Sequence, residues 1–141
     1  MSYCTRQDIE DLLGERNVVL WSNLDPDATE ADESRIDRAI AWAADRINER
    51  MKGGPYRVPL VAEGGELIGL RHVCAMLAGW WLFSSRGFIE AVTGEGVGAG
   101  MKAVRRDAER QLDRYRAGID HLSAAKVTAR PQTPTVVDDG G

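Results

Sequence analysis

Apolar residues surround most of the circumference of one predicted helix, which spans residues 67–83. At about 100° per residue, one face of this helix carries a row of apolar side chains: Leu67, Leu70, Cys74, Leu77 and Trp81. Met76 and Phe83 project to the opposite side, and Arg71 and His72 are the only strongly polar residues. Because a helix that is apolar nearly all round is normally buried, we predict a central helix, part of which another subunit covers.

Three further helices are predicted from capping signals and apolar spacing. A capping box at residues 5–8 starts a short helix that Gly14 ends. An apolar connector follows at residues 18–24. Apolar residues at helical spacing then define an amphipathic helix over residues 36–51. The last helix covers residues 101–122 and has a narrow apolar stripe, so we expect it to lie on one side of the domain.

The remaining segments are predicted to be irregular. Residues 84–100 contain five glycines and are expected to form mainly a loop. Residues 129–141 contain two prolines and too little apolar mass to fold alone. Since no alternating pattern is long enough for a sheet, the predicted fold is all-α. We expect a bundle of about four helices over residues 1–128, with an extended tail over residues 129–141.

Composition narrows the function classes. An apolar content of 43% and a charged content of 28% are typical of a soluble globular domain. A net charge of −4 argues against a general nucleic-acid binder, which usually carries a basic surplus. The longest uncharged apolar run is far short of the roughly 20 residues that span a bilayer. We therefore expect no membrane association, and the first residues do not resemble a signal peptide.

Two segments only loosely resemble ligand sites. Gly94-x-Gly96-x-x-Ala99 satisfies the relaxed dinucleotide fingerprint, but the strand and parallel sheet which that motif needs are not predicted. The acidic residues 25–33 lack the regular ligand positions of a calcium loop. Carboxylates ahead of a helix are explained more simply by the helix dipole. We expect neither a cofactor nor a metal ion.

Catalytic groupings are also not evident. Cys4 and Cys74 are too few and too far apart in sequence for a disulfide framework or a zinc site, so two free thiols are expected. His72 and Cys74 are two residues apart and point in nearly opposite directions on a helix. His121 lies near the end of the last helix, where a cation suits the dipole. We expect no enzymatic activity.

Aromatic residues around the central helix are candidates for a subunit interface. Trp80 and Trp81 are adjacent and therefore about 100° apart on a helix. One of them can enter the subunit's own core while the other meets a neighbour, since tryptophan is enriched at interfaces. A wide core is the alternative. The candidate oligomer interface consists of Trp80, Trp81, Met76, Phe83 and Phe88.

A basic stripe on the last helix is the strongest charged feature. Lys102, Arg106, Arg110 and Arg114 recur every fourth residue, opposite the apolar face. The simplest interpretation is a solvated face balanced by the carboxylates of Asp107, Glu109, Asp113 and Asp120. The alternatives are a contact with an acidic partner and, less well supported in an acidic chain, a contact with phosphates.

Three stretches resemble a family of small proteins from Mu-like phages and prophages. The first is the opening MSYCTRQDI, and the second is the alanine-rich helix over residues 36–47. The third is Tyr56-Arg57-Val58-Pro59-Leu60, which matches the family's Tyr-x-x-Pro-Leu element before its third helix. The chain departs from the family pattern in the glycine-rich residues 94–100 and at residues 124–127, where a glycine-containing turn would be usual.

The resemblance implies a head-tail connector, also called an adaptor or head-completion protein. Such proteins form a ring, typically twelvefold, beneath the portal protein in the neck of the virion, after assembly in the host cytoplasm. The ring extends the DNA channel without specific DNA binding and docks the next neck or tail protein. The alternative function is a small helical DNA-binding or regulatory module that uses the basic stripe.

Candidate portal and neck contacts lie at the basic stripe and in the tail. The stripe contributes Lys102, Arg106, Arg110 and Arg114. The extended stretch around residues 133–137 suits a peptide that adds to a partner's sheet edge or groove. The tail contributes Arg130, Pro131, Thr133, Pro134, Thr135, Val136 and Val137.

Overall fold

The computed structural model describes residues 3–25, 27–62, 67–85, 95–122 and 124, and this part of the chain contains five helices. They are α1 (Arg6–Leu13), α2 (Glu15–Ser22), α3 (Glu33–Met51), α4 (Ile68–Ser84) and α5 (Glu95–Arg116). The described residues contain no strand, and one isolated bridge pairs Ala62 with Ala124. The all-α prediction is confirmed. Within the described residues, no helix combines the length and the apolar character needed to cross a membrane.

Helix α4 is the centre of the bundle, as predicted. It packs against each of the other four helices. Its residues Leu70, Cys74, Leu77 and Leu82 are completely buried. The chain's own helices therefore cover most of α4, although Ile68 in its first turn is exposed and Trp80 and Trp81 in its second half are partly exposed.

Side-chain caps start α1 and α3, and the cap of α1 is the capping box that the sequence predicts. The Thr5 hydroxyl accepts a hydrogen bond from the Asp8 amide, and the Asp8 carboxylate accepts one from the Thr5 amide. The carboxylate of Asp32 accepts hydrogen bonds from the amides of Ser34 and Arg35. Each cap satisfies amides that the first helical turn leaves unpaired. The capping role of Asp32 agrees with the interpretation of the acidic segment as a helix-start signal.

The connector predicted at residues 18–24 is wrong, because these residues belong largely to α2. Gly14 ends α1 with a φ of 91°, a conformation that favours glycine, and α2 begins at the next residue. Val18 and Trp21 of α2 are buried, and the Trp21 ring packs edge-on against Phe83 with centroids 5.1 Å apart. Burial of this apolar face outweighs the modest helix propensity of the two adjacent valines.

The last helix is shifted relative to its prediction. It begins at Glu95, so residues 95–100 are helical and not a loop, and it ends at Arg116. Gly118, with a φ of 78°, follows the end; the Gly118 amide donates to the Tyr115 carbonyl and the Ile119 amide to the Arg114 carbonyl. These two bonds form a Schellman motif. Ile119 lies within the span predicted for the last helix, but it follows the end of α5 and is exposed.

Candidate functional site

A groove of about 710 Å³ lies between α3 and α5, with α4 beneath it. It is lined by Arg46, Arg50, Trp80, Lys102, Arg105, Arg106, Glu109, Arg110 and Asp113. Six of these side chains are cationic and two are anionic, which leaves an excess of four positive charges. Since the whole chain carries a net charge of −4, the groove is a basic region on an acidic protein.

Glu109 holds the two walls of the groove together. Its Oε2 lies 2.9 Å from Nε of Arg46, and its Oε1 lies 3.0 Å from Nη1 of Arg50. Arg105, one turn earlier on α5, has its Nε 3.8 Å from the same carboxylate. A second carboxylate, that of Asp113, accepts a hydrogen bond from Arg50 and raises the pKa of that guanidinium. These ion pairs fix α3 against α5 on the side of the bundle where the groove opens.

Each tryptophan of the adjacent pair is half-buried and is covered by an arginine of its own subunit. The Arg105 guanidinium lies over the Trp80 ring, 5.5 Å from its centroid. Arg35 lies over the Trp81 ring at 5.2 Å. Because the two rings point to different sides of α4, Trp80 belongs to the groove and Trp81 to the junction with the start of α3. Neither is fully in the core.

The other three candidates for the subunit interface are Met76, Phe83 and Phe88. Met76 is partly buried and packs against the core. Phe83 is only 3% exposed and packs on Trp21, so we correct its assignment from a subunit contact to the core of the protomer. Phe88 lies outside the described residues, as do the tail candidates Arg130, Pro131, Thr133, Pro134, Thr135, Val136 and Val137.

The structure divides the basic stripe. Lys102, Arg106 and Arg110 line the groove together with Trp80, so two candidate surfaces that the sequence presents separately are one surface. Arg110 also lies 3.7 Å from Asp107. Arg114 is not part of the groove lining and pairs with Asp120 through two hydrogen bonds of 2.8 Å and 3.1 Å. Arg114 therefore serves the turn after α5.

The pair between Arg114 and Asp120 predicts a measurable titration. Hydrogen bonds from Arg114 and then Gln111 lower the pKa of Asp120 to about 2. Because the folded pKa is depressed, the associated stability is present above the unfolded value of about 3.9 and is lost as the pH falls towards about 2. We expect Arg114→Met to raise the pKa of Asp120 towards 3.9, measured by carboxyl carbon NMR, and Arg110→Met to leave it unchanged. An ordinary pKa for Asp120 in the unaltered protein would contradict the pairing.

Sequence reasoning missed Arg46, Arg50 and Arg105 as members of this site. A signal was present, because Arg46 and Arg50 are four residues apart on the polar side of α3, and Arg105 and Glu109 have the same spacing on α5. That spacing shows which side chains share one helix face. It does not show that the two faces stand opposite each other.

The thiols and acidic clusters also have clear positions. Cys4 and Cys74 are free, as predicted, but they are not isolated, since their sulfur atoms are in contact. Among the residues that the structure describes, no group of three or more His, Cys, Asp or Glu side chains is arranged to hold a metal ion.

Comparison with known proteins identifies a bacteriophage family. A search of curated proteins gave no match. The family model described as "Bacteriophage Mu, Gp36" matches residues 3–138, which include all five helices and the groove between α3 and α5. The chain belongs to this phage protein family.

Proposed function

We propose that this protein is a virion component, a head-tail connector that forms a ring beneath the portal protein. In this role it extends the DNA channel and docks the next neck or tail component. Membership of a Mu phage family supports a role in the phage particle. A ring subunit needs two different surfaces that meet head to tail, because a cyclic assembly repeats one heterologous contact.

The groove supplies one of these surfaces, and the observation that carries the proposal is its combination of Trp80 with several arginines. Tryptophan and arginine are the residue types that contribute most often to binding energy at protein interfaces. Trp80 is only partly covered by Arg105, so a partner side chain has aromatic surface to contact. The positive excess selects an acidic partner segment.

The second surface that we propose is the acidic segment before α3, residues 24–30. Leu24 is 64% exposed, and the carboxylates of Asp25, Asp27 and Glu30 are also exposed. This segment lies before the start of α3, whereas Arg46 and Arg50 lie towards its end, about 20–26 Å along the helix at 1.5 Å per residue. A head-to-tail contact that places this segment in the neighbour's groove sets Leu24 against Trp80 and carboxylates against arginines.

The DNA-binding alternative has less support. Arg46 and Arg50 are paired with carboxylates, and so is Arg110. Phosphate binding depends on cations that can replace condensed counterions, and an acidic chain repels DNA as a whole. Repulsion suits a channel through which DNA slides.

Reversal of charge on each surface tests the proposal. We expect Arg106→Glu with Arg110→Glu to abolish ring formation, because both side chains are exposed and lie outside the Glu109 cluster. Asp25→Lys with Asp27→Lys should abolish it as well. The four substitutions combined should restore part of the assembly. Rings are counted by electron microscopy and mass photometry, with and without the portal protein.

A matched control carries the same change in charge elsewhere. Arg38→Glu with Arg57→Glu alters two exposed arginines outside the groove and should leave assembly intact. An equal loss of ring assembly in the control would show that the change in net charge causes the loss. That result would contradict a specific contact at the groove. Salt-dependent DNA binding by a monomer, lost in the Arg106→Glu and Arg110→Glu variant, would favour the DNA-binding module instead.

A further inference from the structure

Two cysteines that are 70 residues apart in sequence touch in the core. The Sγ atoms of Cys4 and Cys74 are 2.8 Å apart, and the side chains are 4% and 0% exposed. Cys4 lies in the segment just before α1, and Cys74 lies in the middle of α4. A bond between them would join the first residues of the domain to its central helix.

We propose that Cys4 and Cys74 form a reversible oxidation site, which closes to an intrachain disulfide when the protein meets a low-molecular-weight disulfide. This inference is independent of the connector role. The sulfur atoms are already in contact, so no large backbone movement is needed to join them.

The reaction is a pair of thiol–disulfide exchanges. The Cys4 thiolate attacks one sulfur of the small disulfide, and one small thiol leaves. Cys74 then loses its proton and attacks the Cys4 sulfur of the mixed disulfide, which releases the second small thiol. The protein loses two protons and two electrons in total, and the small disulfide takes them up and is reduced to two thiols.

Access to Cys4 controls the rate. The hydrogen bond with Cys74 and then burial raise the pKa of the Cys4 thiol, so the closed form holds little reactive thiolate. The neighbouring Tyr3 hydroxyl donates to Oδ1 of Asn48 and accepts the Leu60 amide hydrogen at 2.8 Å. Tyr3 thus fastens the segment that covers the thiols. Oxidation therefore proceeds through local opening of this segment.

Mass spectrometry on the full chain tests the site directly. After incubation with oxidised glutathione, we expect the intact mass to fall by about 2 Da. Trypsin without reductant should then release residues 1–6 linked to residues 72–86, since cleavage sites follow Arg6, Arg71 and Arg86. Dithiothreitol should separate the two peptides. Two thiols that still alkylate after denaturation, or a stable glutathione adduct, would overturn the proposal.

The rate distinguishes an opening-controlled site from a merely exposed thiol. Tyr3→Phe removes the hydrogen bonds of the Tyr3 hydroxyl with Asn48 and Leu60, and it should speed oxidation by about fivefold to tenfold. Tyr56→Phe removes a buried hydroxyl that accepts the Leu122 amide hydrogen, far from the thiols in sequence, and should leave the rate within about twofold. Equal acceleration in both variants would contradict the claim that the hydrogen bonds of Tyr3 control access to Cys4. Circular dichroism confirms that both variants fold.

Discussion

Replacement of Leu77 by alanine is expected to lower the free energy of unfolding by about 3 kcal/mol, within the range of 2–5 kcal/mol for buried leucines. Leu77 is completely buried in the middle of α4, the helix that contacts all four others. Loss of its side chain removes favourable burial and leaves a cavity that several helices would have to move to fill. Urea unfolding of the purified subunit, followed by circular dichroism, measures the loss.

The same substitution at Ile68 provides the control. Ile68 lies in the first turn of α4 and is 67% exposed, so Ile68→Ala should change stability by less than about 0.5 kcal/mol. Similar losses at both positions would show that α4 is not buried as described. A large loss at Ile68 that depends on protein concentration would indicate that a second subunit covers this end of the helix.

The central helix could be predicted because its evidence is contained in one stretch of sequence. An apolar run with only Arg71 and His72 as interruptions has few explanations other than burial. The evidence for the start of α1 is also contained in one short stretch, since Thr5 and Asp8 each accept a hydrogen bond from the other's amide. By contrast, α2 was missed because Gly14 ends one helix and also permits the next to begin at once. A glycine in the sequence does not show whether a loop or a second helix follows the helix that it ends.

The candidate site depends on tertiary contacts that no single helix reveals. The sequence places Lys102, Arg106 and Arg110 on one face of α5 and Trp80 on α4, but not in one groove. From the sequence, Glu109 is one of several carboxylates that balance the charge of the basic stripe. Its contacts with Arg46 and Arg50 on α3 make it the central ion-pair residue between two helices. The contact of Cys4 with Cys74 is a similar case, because 70 intervening residues hide it.

A close contact of α4 with α5 gives the second large expected effect. Gly69→Ala should destabilise the protein by about 1–2 kcal/mol, although alanine favours a helix over glycine by about 1 kcal/mol. A Cβ at position 69 would lie 2.1 Å from Oη of Tyr115, which is a buried side chain. Either α5 moves away from α4 or the ring leaves its position, and both changes cost packing. Urea unfolding again measures the difference.

Gly100→Ala is the control for Gly69→Ala. It tests whether the expected loss of stability comes from the steric clash or from the removal of a glycine as such. No atom lies within 4 Å of a Cβ built at Gly100 in α5, so this substitution should stabilise the protein by up to about 1 kcal/mol. Tyr115→Phe removes the clashing hydroxyl and leaves Cζ as the nearest ring atom, 3.3 Å from the new Cβ. Gly69→Ala should therefore cost about 1 kcal/mol less in the Tyr115→Phe background. If the cost were the same in both backgrounds, the approach of Tyr115 to Gly69 would not determine the spacing of α4 and α5.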